Sequence, residues 1–439
     1  MPGVTLDLLE WHELTPDTCP TLSGLTLAPD RAAQALADQL TRLGMLEIVE
    51  LRTGLSIRAT SFIGRIRLGD LQITVRPKIQ HDILLSLFRH AYNLRDLKLF
   101  AEADHRSLPL AFQDLLISQL VAEVSELLAR GLHRQYVQVQ EALVAPRGRL
   151  DIQRLARQGG IYEASAPCIH YPRLEDRLVN QVVLAGLHLA VCLTDDLVLR
   201  ARLRRLAAVL AETVSPIRLS ADVMRRLDRE LSRLTVAYEP ALTLIALLLE
   251  SAGITLEDDV TSLKLPGFLF DMNRFFEALM SRFLHENLPD CTVQDQYRLH
   301  GMLRYAPEHN PQRRHAPTPR PDYVVKQDGK VLALLDAKYR NIWEKGLPRD
   351  MLYQMAMYAL SQGAEGRATI LYPTVEPLAK QEVIEIRETV YGEHRAQVVL
   401  RPVQLPQLER LLRLSGVQAK RQVEKFARHL AFGEPVLGV

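Results

Sequence analysis

Hydrophobic and polar positions change period twice along the chain. From Val4 to about Phe100, short runs rich in Ile, Val and Leu (Leu46–Leu51, Leu55–Ala59, Phe62–Leu68, Leu71–Val75) are separated by Gly54, Gly64 and Gly69-Asp70, which predicts strands. A helix over about Asp30 to Leu43 precedes them, opened by Pro29-Asp30 and stopped at Gly44. Arg76-Pro77-Lys78 closes the last strand, because proline offers no donor to a continuing ladder. From Leu110 to about Ser251 the period becomes helical, with amphipathic stretches at 112–130, 175–194, 197–213, 221–234 and 240–252. The segment Arg147–Asp151 and a turn at Ala166-Pro167 interrupt them. The longest apolar run, Ala241 to Leu249, is half a membrane span and predicts a buried helix.

Alternation returns from about Thr261. Phe270-Asp271 opens a helix through His285, with Met272, Phe275, Phe276, Leu279, Met280, Phe283 and Leu284 on one face. Strands follow at Thr292–Tyr297, Asp322–Lys326 and Val331–Asp336; the last two meet through Gln327-Asp328-Gly329-Lys330, whose Asp-Gly pair marks a tight hairpin. A helix over about Leu347–Leu360 and a strand at Ala368–Leu371 complete an α-β-β-β-α-β order. The expectation is a multidomain α+β and α/β protein divided as 1–105, 106–260 and 261–439: a small β-rich domain, a helical scaffold and a C-terminal domain carrying the chemistry.

Composition narrows the classes. The 439 residues exceed a single small module; 47% hydrophobic and 24% charged residues exclude disorder as the main theme. A net charge of +2 confines any nucleic-acid surface to a local patch. Cys19, Cys168, Cys192 and Cys291 lie too far apart for a zinc ribbon or a disulfide framework and read as buried thiols of a reducing cytoplasm. No basic stretch leads an apolar core at the N-terminus, so no signal peptide and no membrane partner are expected. The chain has no P-loop, no G-x-S-x-G and no G-x-G-x-x-G. Lysine is scarce, 10 against 44 arginines, so each lysine needs a reason.

One lysine has a reason. Pro321-Asp322 is followed fourteen residues later by Asp336-Ala337-Lys338. Acid-x-Lys triplets arise by chance, and Asp96-Leu97-Lys98 and Asp328-Gly329-Lys330 are others, but Asp336 ends the apolar run Val331–Leu335, expected to be buried, where a charge needs partners or a metal. Across the hairpin Asp322 lies opposite Asp336, so two carboxylates can converge on one Mg²⁺, with Mn²⁺ as the alternative ion and the Ala337 carbonyl as a further oxygen. Lys338 falls on the same strand face as Asp336, near a water and a phosphate. Gln354 and Tyr358, spaced i,i+4, share a helix face toward this point, and Glu277 on the preceding helix is a further candidate carboxylate. The bland readings are a surface ion pair, a solvated Gln and Glu, and a packing Tyr. His309 to Arg320 holds Arg313, Arg314, Arg320, His309 and His315 without one acid, immediately before Asp322; delivered to a phosphodiester site, it would neutralise DNA backbone, whereas a charge run is otherwise a solvated loop. Arg65, Arg67, Arg76 and Lys78 read as ordinary strand-surface charges, with contact to an acidic partner or DNA as the alternative.

Pro321-Asp322 with Asp336-Ala337-Lys338 in this element order resembles the PD-(D/E)xK nuclease superfamily, and Gln354-x-x-x-Tyr358 resembles the helix motif of its RecB-like branch. Asp271-Met272-Asn273, Leu335–Tyr339, Asp350–Met355, Leu371-Tyr372-Pro373, Gly69-Asp70-Leu71 through Ile79 and Arg147–Leu150 resemble the McrC family, nuclease subunits of McrBC restriction systems. The resemblance implies a PD-(D/E)xK nuclease fold and Mg²⁺-dependent cleavage of double-stranded DNA. It further implies docking of the N-terminal domain on a McrB-like AAA+ oligomer that itself binds GTP, and pairing of two such subunits for double-strand cuts. The alternatives are a RecB-like repair nuclease that degrades ends, without the cysteines of the iron–sulfur members, and a non-cutting adaptor that activates an AAA+ motor.

Overall fold

The computed structural model describes residues 4–94, 112–158, 164–253, 267–363 and 365–433. Asp96, Lys98 and the boundaries expected near 105 and 260 lie outside them. The chain forms two compact units, the first from Met1–Leu6, Gly64–Thr74 and Leu97–Phe270, the second from Asp7–Ile63, Val75–Asp96 and Asp271–Val439.

The first unit is mostly helical. Helices run over Phe112–Arg130, Leu178–Leu193, Leu197–Ala211, Ala221–Glu230 and Glu239–Ser251, where the amphipathic periods place them. Two begin on side-chain caps: Asp196 accepts from the N–H groups of Val198 and Leu199, and Ser220 accepts from Val223. The apolar run expected to be a buried helix is one, with Ala241, Leu242, Leu244, Ile245 and Leu247–Leu249 all buried. Of the four cysteines expected to be buried, Cys168 is; Cys192 is exposed, and Cys19 and Cys291 are half-buried. Between the helices the sequence hides small strands: Val139–Leu143, Ala166–His170 and Arg149–Leu150 form one sheet, and Gln135–Tyr136 pairs Arg173–Leu174. The expected turn at Ala166-Pro167 is therefore the start of a strand. Pro167 lies opposite Ala142 and joins the ladder through its carbonyl, which accepts from the Asp151 N–H at 2.8 Å.

The second unit carries a three-stranded sheet in the order Glu13–Leu14, Gly54–Ala59, Leu46–Leu51, with the expected helix at Arg31–Arg42 capped by Asp30. A further helix, His81–Ala91, buries Leu84, Leu85, Leu87 and Phe88. Its larger sheet has six strands: β1 (Thr292–Asp295), β2 (Tyr323–Gln327), β3 (Lys330–Ala337), β4 (Gly366–Thr374), β5 (Glu382–Arg387) and β6 (His394–Gln404), in the order β1-β2-β3-β4-β6-β5. The helices are α1 (Met272–Asn287), α2 (Ile342–Lys345), α3 (Arg349–Leu360), α4 (Leu405–Arg413) and α5 (Val417–Phe432). The expected α-β-β-β-α-β order is present from α1 to β4, with the short α2 inserted.

Strands β3, β4 and β6 are parallel and covered on both faces, which is why their sequences run apolar without alternation. One face, with Leu334, Ile370, Tyr372, Val398 and Leu400, packs on Met355, Tyr358 and Ala359 of α3. The hairpin joining β2 and β3 turns at Asp328 and Gly329, with φ of 50° and 79°, the two positive angles a tight type I′ turn requires. It pairs Tyr323 with Leu335, which brings Asp322 abreast of Asp336. The run Val331–Leu335 is not buried throughout: Val331 and Leu332 near the turn are exposed, and burial begins at Leu334. The outer end of a hairpin has only one neighbour strand there, whereas from Leu334 onward β4 covers the other edge.

Gly186 marks where two helices of the first unit touch: a Cβ there would lie 2.4 Å from Ile245 Cγ1. Gly186→Val is expected to cost ~1–3 kcal/mol by overpacking, read as a lowered unfolding midpoint in denaturant, and Ile245→Ala in the same chain should restore part of it.

Candidate active site

Asp336 is the penultimate residue of β3, paired with Ile370 of β4 on one side and abreast of Asp322, just before β2, on the other, and is 1% exposed. A carboxylate placed there loses its water on every side. Lys338 supplies the compensation: its Nζ stands 2.8 Å from Asp336 Oδ2 and 3.6 Å from Asp322 Oδ2, bridging the two acids. Apart from that ion pair, neither Asp336 oxygen has a hydrogen-bond partner. Asp322, also buried, is better served: Oδ2 accepts from the Ala337 N–H at 2.8 Å, and Oδ1 from Gln296 Nε2 at 3.0 Å.

The charges show the strain of this arrangement. Burial, and then the neighbouring Asp322, pushes the Asp336 carboxyl up to about 6 against the pull of Lys338. Glu277 on α1 is pushed up to about 7 by burial and by Asp322, with Lys338 opposing. Burial alone would lower the Lys338 ammonium, yet Asp336 and Asp322 carry it well above the ordinary lysine value. One cation thus serves three acids, two of which meet neutral pH partly protonated.

Each residue singled out in the sequence has a definite place. Asp322, Asp336 and Lys338 converge, and the electrostatic influence of Glu277 reaches all three; its backbone carbonyl also accepts from the Tyr323 hydroxyl at 2.6 Å. Ala337 adjoins the site, with its N–H committed to Asp322. Gln354 is exposed on α3 and donates to the Tyr358 hydroxyl at 2.8 Å, while the Tyr358 ring is buried in the core. Arg313 and Arg314 stand exposed on a turn held by Asn310, whose side chain accepts from the Arg314 N–H and donates to the Arg314 carbonyl. Arg320, two residues before Asp322, donates from Nε to the Gln296 carbonyl at 3.1 Å. Sequence reading passed over Gln296, which had no motif to mark it.

The donor set suits a hard cation. Every acceptor at the centre is oxygen, and the buried Asp336 carboxylate has no partner besides the lysine. Among the described residues no three His, Cys, Asp or Glu side chains gather as a complete ligand shell. Two carboxylates are a usual protein contribution to an Mg²⁺ site, because this ion keeps several of its waters. Asp322 and Asp336 are the residues that would hold it.

Fold and site together define a mixed α/β protein of two units with a buried acid–acid–lysine centre at the ends of adjacent strands. A family model described as the McrBC 5-methylcytosine restriction system component matches residues 57–373, and the chain belongs to that family. Among curated proteins none matches it. It is similar to a chain in the refined half-complex from the tetradecameric assembly of Thermococcus gammatolerans McrB AAA+ hexamers with bound McrC, at 20% identity and a TM-score of 0.64, over 96% of this chain and 99% of that one. That likeness shows a shared fold over nearly the whole of both chains. A chain in the cryo-EM structure of the Thermococcus gammatolerans McrBC complex is 19% identical over 65% of this chain and 88% of that one, with a TM-score of 0.48.

A second buried acid braces the strand end. Glu10, 1% exposed, accepts on Oε1 from the Tyr339 hydroxyl and the Lys78 N–H, both at 2.8 Å, while Oε2 has no partner. Burial pushes its carboxyl up to about 7 from 4.5, held back by those donors. A carboxyl raised on folding favours the folded state while protonated; that stability is full below about 4.5 and is lost as pH rises through about 7. Glu10→Gln, isosteric and still an acceptor, should remove this dependence. In denaturant titrations without divalent metal, the stability of the original chain relative to this variant should fall by about 3 kcal/mol between pH 4.5 and 7; parallel curves would refute it.

Proposed function

We propose that this chain is the McrC-type nuclease subunit of a McrBC restriction system, an Mg²⁺-dependent endonuclease acting on double-stranded DNA. The observation that carries the reading is the convergence of Asp322, Asp336 and Lys338, with the buried Asp336 carboxylate served by no partner besides the Lys338 ion pair. The α1-to-β4 order around them supports a PD-(D/E)xK nuclease fold.

Bound Mg²⁺ would lower the pKa of an attacking water and offset charge on the phosphate. The chain's own groups divide the remaining work. Asp322 and Asp336 supply the negative field that holds the cation, and the neutral N–H groups on Asp322 fix its carboxylate without cancelling its charge. Lys338, held protonated by its neighbours, stays positive throughout the working pH range and stabilises the charge that grows on phosphate oxygens. Glu277, with its carboxyl near 7, is able to take up or release a proton beside the site. Arg313, Arg314 and Arg320 are exposed in the segment that precedes Asp322 in the chain and suit contacts with DNA phosphates. Gln354 steadies the Tyr358 hydroxyl from α3.

The relative with the shared fold comes from an assembly of McrB AAA+ hexamers with bound McrC. By that likeness the partner proposed here is a McrB-like AAA+ GTPase that carries the GTP, and double-strand cutting proceeds with two such subunits assembled together.

The test reconstitutes the chain with that GTPase and modified, covalently closed circular DNA. Asp336→Asn, which keeps the shape and removes the charge, should lower Mg²⁺-dependent cleavage by at least about 10²-fold while leaving partner binding and GTPase stimulation intact. Undiminished cleavage by the variant would remove Asp336 from the site. A chain that cuts only linear DNA would favour an end-degrading repair nuclease, and GTPase stimulation without nicking by the unaltered chain a non-cutting adaptor.

A further inference from the structure

Gln296 follows β1 with a φ of 51°, the left-handed region that a glutamine adopts only at a cost. Three hydrogen bonds hold it there. Its N–H donates to the Asp322 carbonyl at 2.7 Å, its carbonyl accepts from Arg320 Nε at 3.1 Å, and its side-chain Nε2 donates to Asp322 Oδ1 at 3.0 Å. With the Ala337 N–H on Oδ2, each Asp322 oxygen has one fixed donor, and the plane of the carboxylate is set. Both donors are neutral amides, so they orient the acid without spending its charge, unlike Lys338.

We propose that Gln296 is a positioning residue of the divalent-cation site: its carboxamide aims Asp322 and thereby sets the affinity for the ion. This rests on the metal-site reading above. Groups that hold metal ligands in place contribute about 10- to 100-fold to affinity when removed. Here the left-handed backbone separates that role from a structural one. Asparagine and glycine adopt positive φ more readily than glutamine, but asparagine is one methylene too short to reach Asp322 and glycine has no side chain. Gln296→Asn and Gln296→Gly therefore remove the carboxamide bond while relieving the backbone.

The experiment titrates Mn²⁺ calorimetrically into the full chain, the two Gln296 variants and Asp336→Asn, and records melting temperatures of each in EDTA. The expected result is that the unaltered chain binds Mn²⁺, Asp336→Asn does not, and both Gln296 variants bind at least about 10-fold more weakly, with melting temperatures in EDTA equal to or above that of the unaltered chain. Unchanged affinity in the Gln296 variants, with the difference between the unaltered chain and Asp336→Asn intact, overturns the positioning role and leaves the metal site standing. Weakened binding accompanied by a lower melting temperature in EDTA also overturns it, because the residue would then be merely structural. If the unaltered chain and Asp336→Asn bind alike, the metal-site reading itself falls, and the role of Gln296 with it.

Discussion

The centre of the second unit depends on one electrostatic imbalance: buried carboxylates outnumber the cations near them. Asp336 and Asp322 are drawn within reach of one ammonium, and Glu277 feels the same field. At these separations a like-charged pair in poorly hydrated surroundings cannot stay fully ionised for free; the carboxyls of Asp336 and Glu277 rise toward neutral pH in response. A divalent cation would relieve this strain directly, since it cancels the repulsion that raises those carboxyls. Stability and any cation affinity would then be two readings of the same charge deficit.

The sheet makes that deficit structural. The β2–β3 hairpin closes through two residues with positive φ, so its register is held by the turn as well as by the apolar face it buries. A slip by one residue would send Asp336 to the opposite face and replace it with Leu335 or Ala337. Because β4 pairs with β3 through Asp336 and Ala337, and the Asp322 carboxylate accepts from the Ala337 N–H on the other side, the acid, 1% exposed, must find its partners within the fold. Glu10 then fastens Tyr339 immediately after Lys338, so the lysine is bounded on both sides by anchored residues.

Much of this was legible in the residues, and the remainder was not for physical reasons. The Asp-Gly turn, the apolar run before Asp336 and the two-residue step to Lys338 are local signals, governed by turn chemistry and strand period, and they lead to the observed convergence. The helices of the first unit likewise follow a period of 3.6. Gln296 and Glu10 have no such signal: one reaches Asp322 across 26 positions and the other Tyr339 across 329, distances at which nothing in local pattern specifies contact. Strands β5 and β6 and helices α4 and α5 were passed over because the motif ends at β4, although β6 runs parallel beside β4 along its whole length. The strand at Ala166–His170 was hidden by a proline whose carbonyl still serves the ladder.

Lysine at 338 has a sharper meaning in a chain where arginine outnumbers it 44 to 10. An arginine would carry the same charge, but its planar fork favours two parallel bonds to a single carboxylate, which would satisfy the Asp336 oxygens and leave little demand for a second cation. A lysine ammonium is compact and carries its charge at a point; it sits 2.8 Å from one acid and 3.6 Å from the other, and apart from that ion pair leaves both Asp336 oxygens without a partner. It holds two like charges together without saturating either.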